Sequence, residues 1–213
     1  MSYGRGCGCL SPCSPESMLE ILTRQGRTPE SIIDAGCGRG ERLAFFGAKF
    51  PKASLAGIER DHENACTARK NCPGAEIVEA DIEKCTGLGA ELVLCECVLS
   101  LLPDPVQGAE RLAAMTGNGG ILLLSDLFVP DGEKSAHLAD EGMLRNIYTK
   151  SAVEELFISR GLRLINFFDR RSDMVELACR MVMEGSFCKN VSADTFGSLR
   201  RAHAGYGVWV FEK

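Results

Sequence analysis

The feature that most constrains the fold is a short apolar segment that leads directly into three glycines at alternate positions. Residues Ser31–Ala35 contain one acid, Asp34, and are followed by Gly36, Gly38 and Gly40. Glycine accepts unusual backbone dihedrals and lets a ligand approach the main chain, and the first turn of a following helix has unpaired N–H groups. The sequence therefore predicts a ligand-binding turn between a buried strand and a helix.

The spacing of this turn distinguishes between classes of ligand. In a dinucleotide-binding turn the third glycine follows the second by three residues, and here that position is Glu41. A P-loop requires Gly-Lys followed by Ser or Thr, and the residues after this turn do not match. The Asp34 carboxylate suits a ligand with an amino group better than one with phosphates. Glu41 and Asp34 therefore disfavour a nicotinamide oxidoreductase.

Strand-like and helix-like segments alternate along most of the chain. This alternation predicts an α/β fold, a three-layer sandwich in which helices cover both faces of a mostly parallel sheet. The predicted strands are Ser31–Ala35, Ser54–Glu59, Glu76–Ala80, Glu91–Cys95, Gly120–Phe128, Leu162–Phe168 and Gly205–Phe211. The predicted helices are Ser14–Gln25, Glu41–Phe50, His62–Asn71, Pro105–Met115 and Ser151–Arg160, the last with its cap at Ser151.

Three segments depart from this alternation within what we expect to be a single domain, residues 1–213. Residues 1–28 combine a cysteine-rich start with the first helix. Residues 131–148 are polar and are predicted to form a lid over a pocket. Residues 172–203 are predicted to form one or two helices, a cap before the last strand.

The composition restricts the partners and the compartment. The formal net charge is -5 and no block of Lys or Arg occurs, so no nucleic-acid partner is expected. No apolar run approaches the about 18 residues that cross a bilayer, so no membrane partner is expected. The N-terminus lacks the apolar stretch of a secretory signal, which favours a cytoplasmic location.

The 11 cysteines are odd in number and lie mostly in apolar segments, which favours reduced thiols without a metal. A monomer and a homodimer both fit.

Acids also follow the next two predicted strands. Glu59 ends the second strand, where α/β folds commonly place a carboxylate that accepts hydrogen bonds from ribose hydroxyls. Asp81 follows the third strand, where it is placed to accept a hydrogen bond from an adenine amino group while Ile82 covers the base. With Asp34, three successive strands therefore end in acids, which predicts one site at a shared edge of the sheet.

These residues resemble the class I, Rossmann-like methyltransferases, whose first motif is an acid followed by Gly-x-Gly-x-Gly. The resemblance covers most of the chain, because Asp34–Gly40 match that motif, Glu91–Asp104 the fourth-strand motif and Met115–Gly120 the turn before the fifth strand. It implies a seven-stranded sheet with an antiparallel last strand. It also implies S-adenosylmethionine as cofactor, S-adenosylhomocysteine as product and a small-molecule methyl acceptor that the sequence does not identify.

On this resemblance, the glycine turn holds the methionine end of the cofactor, Glu59 the ribose, and Asp81 with Ile82 the adenine. The predicted cofactor-binding residues are Asp34, Gly36, Cys37, Gly38, Gly40, Glu59, Arg60, Asp81, Ile82 and Cys95.

The acceptor is expected outside the carboxyl ends of the fourth and fifth strands. The predicted walls of its pocket are Glu96, Cys97, Ser125, Asp126, His137 and Tyr148. No catalytic residue is assigned, because transfer to an acceptor that is already nucleophilic mainly requires alignment of acceptor, methyl group and sulfur.

Two further hypotheses remain open. The segment Cys95–Asp104 is similar to that of arsenite methyltransferases, and soft thiolates are the ligands that a trivalent metalloid requires. Asp140–Met143 offers no second binding cysteine of the kind those enzymes carry after the fifth strand. The thiols in question are those of Cys97 and of Cys7, Cys9 and Cys13. The other hypothesis is a protein that binds S-adenosylmethionine without transferring its methyl group.

Overall fold

The computed structural model describes residues 11–132, 147–184 and 193–213. The strands are β1 (Ser31–Ala35), β2 (Ser54–Glu59), β3 (Glu76–Glu79), β4 (Ala90–Glu96), β5 (Thr116–Phe128), β6 (Arg163–Asp169) and β7 (Gly205–Glu212). The helices are α1 (Pro15–Arg24), α2 (Glu41–Lys49), α3 (His62–Asn71), α4 (Pro105–Met115), α5 (Lys150–Ile158), α6 (Arg171–Glu184) and α7 (Ala193–Arg201). Two short 3-10 helices cover Ile82–Lys84 and Leu99–Leu101.

The strands form one sheet in the order β3-β2-β1-β4-β5-β7-β6. Strands β1 to β5 are parallel, whereas β7 is antiparallel to both of its neighbours, β5 and β6. The seven-stranded α/β prediction with an antiparallel last strand is therefore confirmed, and that strand lies inside the sheet. The chain continues from β1 to β2 on one side of the sheet and later crosses to β4 on the other side of β1. Sheets of α/β proteins bind ligands outside the strand ends at such a switch point.

Side chains of successive β-strand residues pack on opposite faces of the sheet. Ile33 and Leu122 belong to a core on the face covered by α4 and α5. Ile32 and Leu123 belong to a second core on the face covered by α1 and α2. Because both faces are buried, the central strands are mostly apolar, as expected for a parallel sheet between helices.

Among the described helices, α1, α3, α4 and α5 begin at a residue whose side chain caps the helix. The Ser14 hydroxyl accepts a hydrogen bond from the Ser17 N–H at 3.1 Å and begins α1. The α5 cap differs from the prediction, because Thr149 accepts from the Ala152 N–H at 3.2 Å and the helix begins at Lys150. Ser151 was therefore the wrong cap, since Thr149 has the equivalent hydroxyl two residues earlier.

The start of β5 also differs from the prediction. The strand begins at Thr116, so part of the expected turn Met115–Gly120 is paired backbone. The Gly119 N–H donates to the Lys213 carbonyl at 2.7 Å, and the Lys213 N–H donates to the Gly120 carbonyl at 3.1 Å. The glycine-rich segment therefore pairs with the end of the chain.

Two of the segments predicted to lie over the pocket are described only in part. Residues 133–146, most of the expected lid, lie outside the described residues, and Val129 and Thr149 form a β-bridge beside them. Helices α6 and α7 lie within residues 172–203 or begin beside them, in agreement with a prediction of one or two helices. Their role as a cap stays a prediction. Within the described ranges, no helix is long and apolar enough to cross a membrane.

Candidate functional site

A cavity of about 400 Å³ opens beyond the carboxyl ends of the first four strands. The end of β3 contributes Ala80, Asp81, Ile82 and Glu83, and the end of β2 contributes Ile58, Glu59, Arg60 and Asp61. The end of β1 contributes Asp34, Gly36, Cys37 and Gly38, and the end of β4 contributes Glu96, Cys97 and Val98. The remaining walls are Ser11, Arg39, Glu41, Arg42, Asn64, Leu101 and Leu102. The three predicted strand-end acids therefore share one cavity.

The three glycines of the turn all have left-handed backbone, with φ of 83° at Gly36, 54° at Gly38 and 81° at Gly40. A Cβ atom on Gly36 would lie 2.4 Å from a methyl group of Val98. A Cβ on Gly40 would lie 3.1 Å from the Cα of Ala68 in α3, so this glycine permits close helix packing. A Cβ on Gly38 would have no neighbouring atom within 4 Å. Gly36 and Gly38 thus line the cavity, whereas Gly40 packs outside its walls.

Glu59 connects the end of β2 to the glycine turn. One carboxylate oxygen accepts a hydrogen bond from the Gly38 N–H at 2.9 Å, and the other accepts from the Asp61 N–H at 2.8 Å. A carboxylate has about four acceptor positions, so these contacts leave capacity for a diol. Glu59 therefore orders the turn and retains the capacity to bind a ligand.

Asp34 is a buried carboxylate, and few neighbouring groups stabilise its negative charge. The residue is 3% exposed, and Oδ2 has no hydrogen-bond partner among the described residues. Burial, reinforced by the charge of Glu96, raises the pKa of Asp34 from 3.8 to about 7, although Arg42 lowers it. A cation in the cavity would stabilise the charged form of this group.

Arg42 and Glu96 form a buried ion pair that the sequence reasoning missed. Nη2 of Arg42 lies 2.6 Å from Oε2 of Glu96, and the side chains are 6% and 7% exposed. The same nitrogen donates to the Cys13 carbonyl at 2.9 Å. Burial raises the pKa of Glu96 despite the opposing charge of Arg42. A basic residue in the first turn of α2, where the helix dipole favours acids, was the available signal.

Cys97 follows β4 with a left-handed backbone, φ 53°, which is unusual for a residue other than glycine. Its N–H donates to the Ser125 carbonyl at 2.7 Å, and its thiol donates to the Tyr206 hydroxyl at 3.7 Å. Tyr206 in turn donates to the Ser125 hydroxyl at 2.8 Å and lies 3.1 Å from the Ser11 hydroxyl. These contacts hold the N-terminal segment against the β4 end of the cavity.

Asp81 and Ile82 lie at the opposite end of the cavity. The Asp81 carboxylate accepts from Lys84 at 2.9 Å, and this hydrogen bond lowers the pKa of Asp81. Ile82 is almost fully buried, and Arg60 lines the same region. A base bound there would share the Asp81 carboxylate with Lys84.

Besides Gly40, four predicted site residues lie away from the walls of the cavity. Asp126 accepts hydrogen bonds from the Ser100 N–H at 2.9 Å and the Ser100 hydroxyl at 2.7 Å, so it holds the 3-10 helix after β4. Ser125 is fully buried under Tyr206, Cys95 is buried within β4, and Tyr148 packs against the core. Their ligand contacts stay predictions, and His137 lies outside the described residues.

The described cysteines are all free thiols. Burial raises the pKa of the thiols of Cys13, Cys37, Cys72, Cys85 and Cys95. Within residues 11–132, 147–184 and 193–213, no three His, Cys, Asp or Glu side chains are grouped as metal ligands.

A largely parallel sheet with a glycine turn and a cavity at its switch point defines the class of Rossmann-like α/β proteins. A family model described as "Methyltransferase domain" matches residues 14–166, and the chain belongs to this family. The resemblance to class I methyltransferases is therefore confirmed.

Similar proteins include two trans-aconitate 2-methyltransferases. That of Rhizobium etli is 33% identical over 131 residues, which are 60% of this chain and 50% of the relative. That of Acidovorax sp. (strain JS42) is 25% identical over 168 residues, which are 76% of this chain and 63% of the relative. The chain thus spans less than two thirds of the length of these relatives.

Two solved structures have the same fold at low identity. An O-methyltransferase of a trans-AT PKS multienzyme from Brevibacillus brevis, in complex with S-adenosyl-L-homocysteine, matches with a TM-score of 0.76 at 15% identity. The match covers 92% of this chain and 71% of that one. A putative sarcosine dimethylglycine methyltransferase from Galdieria sulphuraria matches with a TM-score of 0.75 at 14% identity, covering 92% and 84% of the two chains.

Proposed function

We propose that this protein is an S-adenosylmethionine-dependent methyltransferase that acts on a small-molecule acceptor. The observation that carries the proposal is the single cavity lined by Asp34, Glu59 and Asp81, acids at the ends of three adjacent strands. Membership of the methyltransferase-domain family supports the same activity.

The charges of the cavity fit this cofactor. Its walls carry seven acids, namely Asp34, Glu41, Glu59, Asp61, Asp81, Glu83 and Glu96, against three arginines, namely Arg39, Arg42 and Arg60. S-adenosylmethionine carries a sulfonium and an ammonium group, which suit acidic walls and a carboxylate oxygen such as Oδ2 of Asp34, which has no partner in the described part of the chain. In this proposal Glu59 accepts from the ribose hydroxyls, and Asp81 with Ile82 binds the adenine.

When bound, the cofactor would supply an electrophilic methyl group to the acceptor. The residues of the chain would contribute alignment and exclusion of water. Val98, Leu101 and Leu102 give one part of the cavity an apolar wall beside the end of β4. Holding the acceptor in line with the methyl group and sulfur supplies most of the catalytic effect for a nucleophilic acceptor, so no general base is invoked.

Calorimetric titration with S-adenosylhomocysteine tests the cofactor assignment. We expect binding by the wild type, weakened in Glu59→Gln and Asp81→Asn by about 1 to 3 kcal/mol, the range for a lost hydrogen bond to a charged group. Glu79→Gln is a matched control, because Glu79 ends β3 but contacts His62 and Arg69 outside the cavity walls. This control should bind like the wild type.

Failure of the folded, reduced wild type to bind S-adenosylhomocysteine would contradict the proposal. Thermal stabilisation by NADH in its place would favour a nicotinamide oxidoreductase. Binding without turnover on any acceptor would favour the hypothesis of a non-catalytic cofactor-binding protein.

The names of the relatives make trans-aconitate the first acceptor to assay. The excess of acids in the walls opposes a tricarboxylate, so small amines, alcohols and thiols belong in the same assay. Transfer of radiolabelled methyl from the cofactor identifies the acceptor class. If trans-aconitate is methylated and the other candidates are not, this chain has the activity for which the relatives are named.

A soft-metalloid acceptor is a second candidate, favoured by the position of Cys97 among the residues that line the cavity. Cys7 and Cys9 lie outside the described residues, and Cys13 is buried with a pKa raised by burial to about 11. Loss of arsenite methylation in Cys97→Ser, with unchanged S-adenosylhomocysteine affinity, would support this candidate. Wild-type protein that leaves arsenite unmethylated under reducing conditions would exclude it.

A further inference from the structure

A second cluster of titratable side chains lies at the edge of the sheet, apart from the cavity. It joins α3 to the end of β3, which is an edge strand. Its members are His62, Cys66 and Arg69 on α3 and Glu79 at the end of β3. These four residues are not among the walls of the cavity, so the function proposed above does not use them.

Three members of the cluster form a chain of polar contacts. Sγ of Cys66 lies 3.6 Å from Nε2 of His62, one turn earlier on α3. Nδ1 of the same ring lies 3.0 and 3.1 Å from the two carboxylate oxygens of Glu79. A carboxylate only accepts hydrogen bonds, so Nδ1 is the donor, and a neutral imidazole then has its free lone pair on Nε2. His62 is therefore oriented to accept the thiol proton of Cys66.

Arg69 places a positive charge beside the same sulfur. Its Nη1 lies 4.0 Å from Sγ of Cys66 and 3.6 Å from Oε2 of Glu79. Its Nη2 donates to the Ile77 carbonyl of β3 at 3.1 Å, which fixes the guanidinium. The thiolate is the nucleophilic form of cysteine, and neighbouring histidine and arginine side chains stabilise it. The cluster thus contains a nucleophile, a base, a carboxylate that orients the base, and a fixed cation.

The thiol of this cluster is accessible, unlike most cysteines of the described chain. Cys66 is partly exposed, and the His62 side chain beside it is 74% exposed. Burial raises the pKa of five other thiols and so disfavours their nucleophilic form, namely those of Cys13, Cys37, Cys72, Cys85 and Cys95. A reagent in solution can therefore reach Cys66 together with its base.

We propose that Cys66 is a modification site that exchanges with small disulfides. His62 accepts the thiol proton, and the resulting thiolate attacks one sulfur of the disulfide. A bond forms between Sγ of Cys66 and that sulfur, while the bond between the two sulfurs of the reagent breaks. The leaving thiolate takes the proton from His62. The products are a mixed disulfide at Cys66 and one small thiol, and the reagent is the oxidant.

Exposure alone is the competing explanation for a reaction at Cys66. Cys179 on α6 provides the comparison, because it is a free thiol and is more exposed than Cys66. No hydrogen bond of the Cys179 thiol is found among the described residues. Exposure alone would make Cys179 the faster of the two thiols, whereas activation by His62 makes Cys66 the faster.

Reaction of the reduced full chain with glutathione disulfide tests the proposal. Samples are quenched at successive times and digested, and mass spectrometry of the peptides gives the rate of mixed-disulfide formation at each cysteine. We expect Cys66 to react at least about tenfold faster than Cys179 in the same molecule. A rate at Cys66 equal to or below that at Cys179 would overturn the proposal.

Replacement of the base should affect one thiol only. His62→Gln keeps a polar side chain near Cys66 but removes the basic nitrogen, so the rate at Cys66 should fall about tenfold while that at Cys179 stays the same. Glu63→Gln is the matched control, because it removes an exposed charge from the same turn of α3. An unchanged ratio of the two rates in His62→Gln would refute the activation. If this variant does not fold, as thermal denaturation reports, the wild-type comparison with Cys179 decides alone.

Glu79 is a positioning residue that acts through His62. Glu79→Ala should slow the reaction of Cys66 severalfold, because the imidazole loses the acceptor that orients it. Glu79→Gln should restore part of the rate, since an amide oxygen still accepts a hydrogen bond from Nδ1. The ratio to the Cys179 rate is the readout, because a general loss of stability would not favour one thiol over the other. Equal ratios in Glu79→Ala and the wild type would contradict the positioning role.

Discussion

Oε2 of Glu59 accepts a hydrogen bond from the Gly38 N–H at 2.9 Å and thereby ties the end of β2 to the glycine turn after β1. The other oxygen of the same carboxylate holds the Asp61 N–H at 2.8 Å, at the cap of α3. One side chain thus positions two adjacent walls of the cavity.

Loss of this carboxylate should destabilise the fold as well as the site. Glu59→Ala leaves two partly buried N–H groups without their acceptor, so the free energy of unfolding should fall by about 2 to 4 kcal/mol. Urea denaturation of the ligand-free protein measures the change, with Glu79→Gln as the control on an exposed strand-end acid. A loss below about 0.5 kcal/mol would contradict the proposed tie between β2 and the turn.

Alanine substitution should separate the roles of two glycines in the turn. Gly40→Ala places a Cβ 3.1 Å from the Ala68 Cα at φ 81°, so unfolding free energy should fall by about 2 kcal/mol or more. Gly38→Ala has open space and φ 54°, so its cost should be about 1 kcal/mol, while the new methyl group faces the cavity and weakens ligand binding. Denaturation and calorimetry on both variants measure the two effects. Equal losses of stability would argue against distinct roles.

Asp34 should make stability and binding depend on pH. Its pKa is raised in the fold from 3.8 to about 7, so the folded state holds this proton more tightly than the unfolded chain. This group therefore lowers the unfolding free energy as pH rises from about 4 to 7, and the effect is constant above that range. Asp34→Asn should remove this component, which denaturation curves across the range measure. An identical pH dependence in both proteins would contradict the pKa shift.

The same pKa predicts proton release on ligand binding. A cationic ligand favours the charged form of Asp34, so binding near pH 7 should release a fraction of a proton. Calorimetry in two buffers with different ionisation enthalpies measures that fraction. Asp34→Asn should release less, and equal release by both proteins would assign the proton to another group.

The Arg42–Glu96 pair should be costly to break and less costly to replace. Glu96→Ala leaves a buried guanidinium without its carboxylate, so unfolding free energy should fall by about 3 to 5 kcal/mol. Arg42→Met combined with Glu96→Leu should recover most of that stability, because neither charge is then buried. Thermal and urea denaturation of the single and double variants form the test. Additive losses in the double variant would show that the two side chains do not act as a pair.

Local signals in the sequence were sufficient for much of the fold. The bounds of Ser54–Glu59 and Pro105–Met115 agree between prediction and structure, because a buried apolar run and a capped helix depend on neighbouring residues. The seven-stranded sheet with its antiparallel last strand followed from the family resemblance and is confirmed. The sequence likewise placed acids at three strand ends, and parallel strands bring such ends to one edge.

The tertiary structure decided which polar groups meet. Arg42 and Glu96 are 54 positions apart, and their contact depends on β4 lying beside β1, which no local pattern specifies. The same holds for Tyr206, whose hydroxyl reaches Ser11 and Ser125 because β7 inserts beside β5. Ser125 and Asp126 lie within the expected strand, yet their side chains hydrogen-bond to Tyr206 and Ser100 and are not part of the cavity wall. Sequence determined the elements and their acids, whereas strand order and packing determined which buried charges are paired, since those contacts join distant parts of the chain.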